Sequence, residues 1–306
     1  MDLRQLSYVL AVVDEGSFTA GAAAVGVSQP SLSQAVRALE VELGVELFDR
    51  GGGSVRLTAA GRALVDPARQ ALRDAATARA AVAAVVGVAA GRLDLVCLPS
   101  LAVQPVAGLI GRFRRAHPHV SVRLVEPEDT AAVVERVRSG TSELGFTELP
   151  AGADELVEIR LETHDYVALV PPGSPLAAGA GAVPLAELAD QPLVTTPPGT
   201  STRRLIDEAL AAAGVAPTIA VETDHREAIA PLVVAGAGVS LLPRRLALAS
   251  AAATGAVVRD VRPPIERSIG LLHRPGPLAP AAGAFLAVAV PGAAVPPSRP
   301  RARRRR

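Results

Sequence analysis

Polar side chains are concentrated in one short segment near the start of the chain. Its members are three serines, two glutamines and one arginine: Ser28, Gln29, Ser31, Ser33, Gln34 and Arg37. Glutamine and arginine carry paired donors or acceptors that match the edges of bases in the major groove of DNA. Serine hydroxyls at the start of a helix can contact phosphate, which the helix dipole also favours. The chemistry that these residues offer is recognition of DNA rather than catalysis.

The same segment has the spacing of an amphipathic helix. At about 100° per residue, one narrow arc holds its apolar residues, Leu32, Val36, Leu39 and Leu43. The opposite side holds Pro30, Ser33, Gln34 and Arg37 and no carboxylate. Glu40 and Glu42 come only in later turns, beyond a groove that the helix enters with its first turns. A surface helix of any protein can have a polar face, so this face alone does not separate DNA recognition from solvation.

Two shorter helices precede this one, and glycine turns separate all three. The apolar spacing predicts helices over Leu3–Glu15, Phe18–Val25 and Ser28–Leu43. Ser17 is suited to cap the second helix, and Gly26 supplies the turn before the third. Two short helices joined by such a turn form a helix-turn-helix. We therefore add Ser17 and Thr19 to the residues expected at the DNA.

A glycine-rich turn flanked by arginines follows the third helix. Residues 46–58 fit two short strands with three consecutive glycines, 51–53, at their tip, which is the pattern of a wing. Arg50 and Arg56 flank the tip and are placed to reach phosphates or the minor groove. Residues 1–58 are therefore predicted to form a winged helix-turn-helix DNA-binding domain.

A long helix is predicted over residues 59–86, within a linker segment at 59–90, because this alanine- and arginine-rich stretch contains almost no helix breaker. Small and apolar residues form a seam along it on which another helix can pack closely: Leu64, Ala68, Ala71 or Leu72, Ala75, Val82 and Val86. The alternative is a surface helix that packs only against a domain of its own chain.

Residues 91–290 alternate short valine- and leucine-rich runs with helical stretches, which is typical of α/β units and a mostly parallel sheet. Predicted strands include 92–98, 120–125, 144–146, 156–161, 166–170 and 268–272, and one predicted helix covers 101–116.

Several hydroxyls of this region lie where strands end and helices begin, and helix N-termini at such places bind anions. We expect a small anionic ligand to contact Ser100, Leu101, Thr147, Thr196, Thr200, Ser201, Thr202, Thr223 and His225. Each hydroxyl taken alone is better explained as a helix cap, so only the convergence of several favours a binding cleft.

The composition excludes several classes of function. The 306-residue chain contains 31 arginines and no lysine, which removes Schiff-base enzymes and lysine-dependent phosphoryl transfer. Cys97 is the only cysteine, so no internal disulfide and no cysteine-rich metal site can form. His117 and His119 flank Pro118, which favours a turn over a metal pair. We expect no cofactor and no metal.

Neither an export signal nor an apolar run long enough to span a membrane is present, which predicts a cytoplasmic protein.

The net charge is +1, but six arginines lie within residues 299–306, so the rest of the chain is net negative. Residues 291–306 are rich in proline, alanine and arginine and are predicted to be a disordered tail. Bulk charge therefore does not indicate nucleic acid, and the DNA argument depends on local geometry.

Four ordered motifs run through the first 61 residues: Ser-Phe-Thr-Ala at 17–20, Val-Ser-Gln-Pro-Ser-Leu-Ser at 27–33, Leu-Glu-x-Glu-Leu-Gly-Val-x-Leu-Phe-x-Arg at 39–50, and Leu-Thr-x-Ala-Gly at 57–61. Together they resemble the N-terminal signature of LysR-type transcriptional regulators. Weaker motifs resemble the effector-binding domain of that family: Leu-Pro-Ser at 98–100, Phe-x-x-x-His-Pro-x-Val at 113–120, Leu-Gly-Phe at 144–146, and Val-Ala-Gly-x-Gly-Val-Ser-Leu-Leu-Pro at 234–243.

The resemblance implies an α+β multidomain fold. A winged helix-turn-helix and a linker helix would precede an effector domain similar to periplasmic solute-binding proteins. That domain, at 91–290, would contain subdomain I at about 91–161 and 269–290 and subdomain II at about 162–268. Crossover strands near 161–165 and 265–268 would join the subdomains around a ligand cleft.

The resemblance also implies the partners and the mode of action. They would be double-stranded DNA, a small-molecule effector, and further copies of the chain, with the linker helix pairing two subunits and two dimers forming a tetramer. Effector binding would change how sharply DNA is bent. Position 34 is Gln where many relatives carry Arg, which should shift base preference toward adenine.

A second interpretation remains: a two-lobed α/β small-molecule-binding protein or enzyme without a role on DNA. Ser100 lacks the glycines of a nucleophile elbow, and no acid/base pair stands out, so we expect no catalytic activity. Sequence-specific DNA binding without turnover would separate the two interpretations.

Overall fold

The computed structural model describes residues 1–49, 55–85, 91–179 and 181–291. The predictions for Arg50 and the glycine tip of the wing, for the end of the linker segment at 86–90, and for the arginine-rich tail from residue 292 lie outside these described residues. Within them, no helix is both long enough and apolar enough to cross a membrane.

Three helices and a two-stranded ribbon form the N-terminal domain: α1 (Leu3–Glu15), α2 (Phe18–Ala24), α3 (Gln29–Leu43), β1 (Phe48–Asp49) and β2 (Arg56–Leu57). Serine side chains begin two of the helices. The Ser17 hydroxyl accepts the amide proton of Ala20 at 3.0 Å, and Ser28 accepts that of Ser31 at 3.3 Å. Gly16 ends α1 in the left-handed conformation, with φ at 69°. The helix bounds agree with the sequence predictions to within one residue, and β1 and β2 pair antiparallel at the base of the wing.

The long helix α4 (Ala59–Val85) completes the N-terminal core. The fully buried residues of α3 in this core are Leu32, Val36 and Leu39. Leu64, Ala68 and Leu72 pack on the same core from α4, because they occupy one face of consecutive turns. The first half of the predicted seam is therefore used within the chain. Further along, Val82 is 66% exposed.

Subdomain I contains a parallel three-stranded sheet covered by helices. Its elements are β3 (Gly91–Cys97), α5 (Pro99–Leu101), α6 (Ala107–Ala116), β4 (Val120–Val125), α7 (Thr130–Arg138), β5 (Leu144–Glu148) and α11 (Pro280–Ala289). β3 lies between β4 and β5 and runs parallel to both. Phe113 and Phe146 both contact the ring of Phe285 within a core of leucine and valine.

Subdomain II is built around one end of a long strand, β6 (Val157–Val170). Its other elements are β7 (Val183–Pro184), β8 (Pro192–Thr195), α8 (Ser201–Ala212), β9 (Thr218–Glu222), α9 (Arg226–Val234), β10 (Ser240–Pro243), α10 (Arg244–Thr254), β11 (Val257–Arg259) and β12 (Val261–Arg262). Successive strand residues point to opposite faces. Tyr166 and Val167 of β6 accordingly belong to two separate apolar clusters.

Two long antiparallel strands join the subdomains. They are β6 and β13 (Ile265–His273), which pair along the whole of β13, and the sheet runs in the order β10-β6-β13-β5-β3-β4. The predictions of separate strands at 156–161 and 166–170 and of a mostly parallel sheet are therefore wrong for this part of the chain. The crossover strands that the resemblance places near 161–165 and 265–268 are present, as parts of β6 and β13. The intervening residues 162–165 are polar and lack a strand-like apolar pattern, but pairing with β13 keeps their backbone extended.

The predicted helix over 101–116 is interrupted. A single turn, α5, leads into a wide turn at 102–106, in which Gln104 is extended (φ −152°, ψ 130°), and α6 begins only at Ala107. Pro105 explains the break, because proline lacks an amide proton and disfavours helical geometry at the residue before it. Ser100 consequently lies in an isolated turn and not at the start of a long helix.

Candidate functional site

The polar face of α3 is exposed, as the arc of polar residues predicts. Gln34 and Arg37 are exposed, as are Gln29 and Pro30 at the start of the helix, while Ser33 is partly buried. On the opposite face Leu32, Val36 and Leu39 are fully buried, whereas Leu43 at the end of the predicted apolar arc is 39% exposed because it lies in the last turn of α3. An exposed helix face with arginine and glutamine, on the second helix of a helix-turn-helix, has the geometry of a recognition helix.

The hydroxyls at the start of α3 already bond to each other. The Ser28 and Ser31 oxygens lie 2.8 Å apart, and the Gln29 amide donates to the Ser33 oxygen at 2.9 Å. These bonds orient the side chains along the first turn. All four side chains lie at the exposed end of the helix, where a phosphate oxygen can replace one of these hydrogen-bond partners. Ser17 likewise caps α2, while Thr19 is exposed next to it.

A buried carboxylate fixes the base of the wing. Glu40, on α3, accepts the amide protons of Leu47 at 2.8 Å and of Phe48 at 3.3 Å. Phe48 in turn packs edge-on against Phe18 of α2, with ring centres 5.2 Å apart. Arg56 lies opposite Asp49 in the ribbon and is exposed. The wing strands are therefore tied to the recognition helix through Glu40.

A buried arginine lies between the two subdomains. Arg267, on β13, is only 3% exposed, and its Nη2 donates to the Ser100 oxygen at 2.8 Å. Its guanidinium lies over the ring of Tyr166, 5.4 Å from the ring centre. Nε and Nη1 of Arg267 have no hydrogen-bond partner among the described residues. A buried charge with unused donors is costly unless an anion completes it.

The carboxylate of Glu148, at the end of β5, lies close to this arginine. Its Oε2 lies 3.9 Å from Nη1 of Arg267, an ion-pair distance but not a hydrogen bond. Its Oε1 accepts from Thr130 at 2.9 Å and also pairs with Arg204 of α8. The fully buried Thr147 donates to the Thr130 oxygen at 3.0 Å. A chain of hydroxyls thus connects β5 to the start of α7.

Two further contacts connect the opposite subdomains. The backbone carbonyl of Glu128, just before α7, accepts the amide proton of Ser201 at 2.9 Å. The carboxylate of the same Glu128 pairs with both terminal nitrogens of Arg226, at the start of α9. The amide at the start of α8 is therefore occupied by the opposite subdomain.

The other predicted ligand residues fall into separate groups. Thr200 caps α8 and lies 2.7 Å from the Thr196 oxygen, so both hydroxyls are engaged and buried. Thr202 is buried beside Tyr166. Leu101 belongs to the core of subdomain I. Thr223 accepts the amide proton of His225 in a surface turn, and the histidine ring is exposed.

Arg267 was not predicted from the sequence, although a signal for it exists. Residues 265, 267 and 269 of β13 alternate with more exposed neighbours, and Ile265 and Ile269 are buried with Arg267 between them. A period of two thus places an arginine on an inward-facing row. Glu148, Glu128 and Arg204 had no such signal, because their role depends on how the two subdomains meet.

The remaining chemical candidates carry no reactive arrangement. Burial raises the pKa of the Cys97 thiol to about 12, with Glu126 adding a smaller effect in the same direction. Burial also raises the pKa of Tyr166, against the opposing effect of Arg267. His117 stacks on Phe113 with ring centres 4.8 Å apart. No group of three potential metal ligands occurs within the described part of the chain.

A helix-turn-helix with a wing, a long connecting helix and a two-lobed α/β domain with a central cleft define a DNA-binding transcriptional regulator with an effector-binding domain. Residues 3–62 match the family described as bacterial regulatory helix-turn-helix protein, lysR family, and residues 87–294 match the LysR substrate binding domain. The chain belongs to the LysR family.

Individual relatives agree with this assignment. The chain is 35% identical over 243 residues to the transcriptional regulator ShiR of Corynebacterium glutamicum, which covers 79% of this chain and 82% of ShiR. A full-length OxyR from Pseudomonas aeruginosa, solved with one cysteine replaced by aspartate, superposes with a TM-score of 0.73 at 26% identity, over 94% of this chain and 93% of that one. CbnR in complex with its target DNA superposes with a TM-score of 0.63 at 26% identity, over 94% and 99%.

Proposed function

We propose that this LysR-family regulator binds a small anionic effector between its two subdomains, and that the bound anion changes how the N-terminal domain engages promoter DNA. The observation that carries the proposal is Arg267, a buried guanidinium with two nitrogens that lack a hydrogen-bond partner among the described residues. Arginine is suited to this task because its planar fork binds carboxylates and similar anions through paired hydrogen bonds.

The effector that fits this environment is small. Ser100, the hydrogen-bond partner of Arg267, also lines a cavity of about 110 Å³ with Gln104, Thr163 and His164, and Arg267 itself is not on the wall of this cavity. Among the predicted ligand residues, Ser100 bonds to Arg267, Thr202 lies beside Tyr166, and Thr147 is connected to Glu148 through Thr130. Thr196, Thr200 and Ser201 support the cleft through the start of α8, and Thr223 and His225 lie at its outer edge in this proposal.

On the DNA side, we assign base recognition to Gln29, Pro30, Ser33, Gln34 and Arg37 of α3. Phosphate contacts are assigned to Ser17, Thr19, Ser28, Ser31 and Arg56, and to Arg50 by its place in the sequence. CbnR was solved with its target DNA, which supports DNA as the partner of this similar chain. The matching helix-turn-helix family makes a two-lobed protein without a role on DNA unfavoured.

The proposed assembly is a dimer through α4, with two dimers forming a tetramer. The support is the exposed Val82 on the outer half of α4, together with the small residues that surround it in the sequence. A dimer would place two copies of α3 about one turn of DNA apart. We further propose that the chain acts in the bacterial cytoplasm, where its DNA target lies, and that it catalyses no reaction, as its relatives are regulators.

DNA binding is tested by fluorescence anisotropy on the region upstream of the protein's own gene, with excess competitor DNA and at two salt concentrations. Tight binding that survives competitor, with two protected half-sites in a footprint, is expected. Binding that competitor abolishes on this fragment and on genome-selected fragments would overturn the proposal for α3.

Effector binding is tested through Tyr166, because the chain has no tryptophan and only two tyrosines. In a Tyr8→Phe background, tyrosine fluorescence reports on the ring beside Arg267. Titration with small carboxylates is expected to change this signal, while the corresponding neutral amides do not. Arg267→Met should abolish the response and Ser100→Ala should weaken it, while both variants still bind operator DNA specifically. An equal response in Arg267→Met would place the ligand elsewhere.

A further inference from the structure

One carboxylate of the protein itself lies among the groups of the cleft that are suited to bind an anion. Glu148 lies among two arginines and a threonine: Arg267 at 3.9 Å, Arg204 in a direct ion pair, and Thr130 at 2.9 Å. Its side chain is largely buried, with 16% of its surface exposed. These neighbours are the groups that would bind the carboxylate of a ligand.

We propose that Glu148 is a built-in substitute for the effector carboxylate, and that the effector binds by taking the place of Glu148 beside Arg267. This inference rests on the proposed anionic effector. It adds which group pairs with Arg267 before the effector binds, and which residue determines the ligands that the cleft accepts. Glu148 acts as a specificity-determining residue, because any ligand must offer Arg267 a better partner than the one already present.

The geometry of the Glu148–Arg267 pair makes such an exchange feasible. At 3.9 Å the pair lacks a hydrogen bond, and Nε and Nη1 of Arg267 donate to none of the described residues. Buried ion pairs without full hydrogen bonding return little of the energy that desolvation costs. A free carboxylate that forms a hydrogen bond with Nη1 would satisfy a donor that Glu148 leaves unused.

The position of Glu148 also limits the ligand to one class. A cation would be repelled by Arg267 and Arg204. A neutral ligand could not replace the charge of Glu148, so Arg267 would keep Glu148 as its partner. A carboxylate or another small oxyanion reproduces the charge of Glu148 and can replace it as the partner of Arg267. Glu148 keeps Arg204 as a partner after displacement, since the two side chains are directly paired and that arginine is half exposed.

The test compares wild type with Glu148→Gln, which keeps the shape and removes the charge, in the full chain carrying Tyr8→Phe. Sodium acetate and sodium sulfate are titrated at constant ionic strength against sodium chloride, and Tyr166 fluorescence is followed. We expect Glu148→Gln to bind acetate about tenfold more tightly, which is the size of effect that a unit charge a few ångströms away has on ionisation. Adding Arg267→Met should abolish this binding.

Matched variants keep the result interpretable. Glu155→Gln removes a carboxylate that also pairs with an arginine, Arg138, on the surface of subdomain I, and should leave anion affinity unchanged. Glu148→Asp keeps the charge but withdraws it by one methylene and should give intermediate affinity, which also serves if Glu148→Gln does not fold by circular dichroism.

The outcomes separate this inference from the proposed function. If wild type binds acetate through Arg267 but neither Glu148 variant binds more tightly, the substitute role is overturned while the anionic effector stands. If no variant shows an anion-dependent Tyr166 signal, both fail. If Glu148→Gln binds equally with and without Arg267, the anion lies elsewhere and the inference is again overturned.

Discussion

The carboxylate of Glu40 accepts the backbone amide proton of Leu47 at 2.8 Å, across the turn that connects α3 to the wing. Glu40 is 9% exposed, and the adjacent amide of Phe48 shares the same oxygen. One buried side chain therefore sets the distance between the recognition helix and the first wing strand.

Replacing Glu40 by Ala should destabilise the N-terminal domain and weaken DNA binding together. Two buried amides lose their acceptor, which costs about 1–3 kcal/mol in the free energy of unfolding. Denaturant unfolding measures the first effect and anisotropy with operator DNA the second. Glu42→Ala is the matched control, because Glu42 is exposed and its ion pair is with the chain terminus. Equal effects of the two substitutions would contradict the role of Glu40.

Arg37→Ala should weaken operator binding without destabilising the fold, because the side chain is exposed on α3. If Arg37 contacts phosphate, the salt dependence of log K should fall by about one unit, and if it contacts a base, discrimination at one base pair should fall by about 1–3 kcal/mol. Binding isotherms at several salt concentrations distinguish the two cases. Arg4→Ala removes the same charge from α1 and serves as control. An operator affinity like that of the control would remove Arg37 from the interface.

The N-terminal domain could be predicted closely because local sequence signals determine where its helices begin and which face of each helix is buried. Capping serines at 17 and 28 and apolar spacing in α3 act within a few residues, and the structure has all of them. The structure therefore places Gln34 and Arg37 on an exposed face, as the arc of polar residues predicts. Their contacts with DNA remain a prediction.

The cleft was less predictable because its residues come from distant parts of the sequence. Arg267 and Ser100 are 167 residues apart, and Arg226 and Glu128 are 98 apart. The sequence alone locates the hydroxyls at the starts of helices but does not separate ligand binding from helix capping. The structure shows that Thr200 caps α8, which was the second of these two explanations. Pairing between distant strands also overrode the local pattern at 162–165.

The ion pair between Glu128 and Arg226 should help to keep the cleft closed. Arg226→Gln removes the charge from the subdomain II side, and surface ion pairs of this kind contribute on the order of 1 kcal/mol or less. The amide of Ser201, which donates to the Glu128 carbonyl, should then exchange faster with solvent deuterium, by about fivefold at most. Arg203→Gln is the control, since Arg203 pairs with Asp207 and Glu222 of its own subdomain. Unchanged exchange at Ser201 would show that the pair does not hold the cleft.

Cys97 should be inert in the folded protein. It is fully buried on β3, and a pKa near 12 keeps the thiol protonated at neutral pH, whereas the thiolate is the reactive form. A thiol reagent should label it only after unfolding, and Cys97→Ala should bind operator DNA as wild type does, with or without peroxide. Rapid labelling of the native chain, or a peroxide response lost in Cys97→Ala, would contradict this prediction.

One helix, α7, connects the cleft to the linker helix. α7 starts at Thr130, which donates to Glu148, and it is followed by Ser139, whose carbonyl accepts from the guanidinium of Arg73 on α4. Burial and the nearby Arg274 lower the pKa of Arg73 to about 10, still high enough to keep it charged. An open cavity of about 860 Å³ lies at this junction between α4 and subdomain I. The hydrogen bond from Arg73 to Ser139 is one of the direct contacts across the junction.

Arg73→Gln should therefore reduce the coupling between the cleft and DNA binding. Glu148→Gln is expected to change operator affinity, and the change should shrink when Arg73→Gln is also present. A double-mutant cycle on operator affinity measures the interaction free energy, expected at about 0.5–2 kcal/mol. The same cycle with Arg138→Gln, at the end of α7 but paired with Glu135 and Glu155 on the surface, should give a value near zero. Additive effects of Glu148→Gln and Arg73→Gln would mean that α7 does not carry the signal, because two sites that bias one element cannot act independently on it.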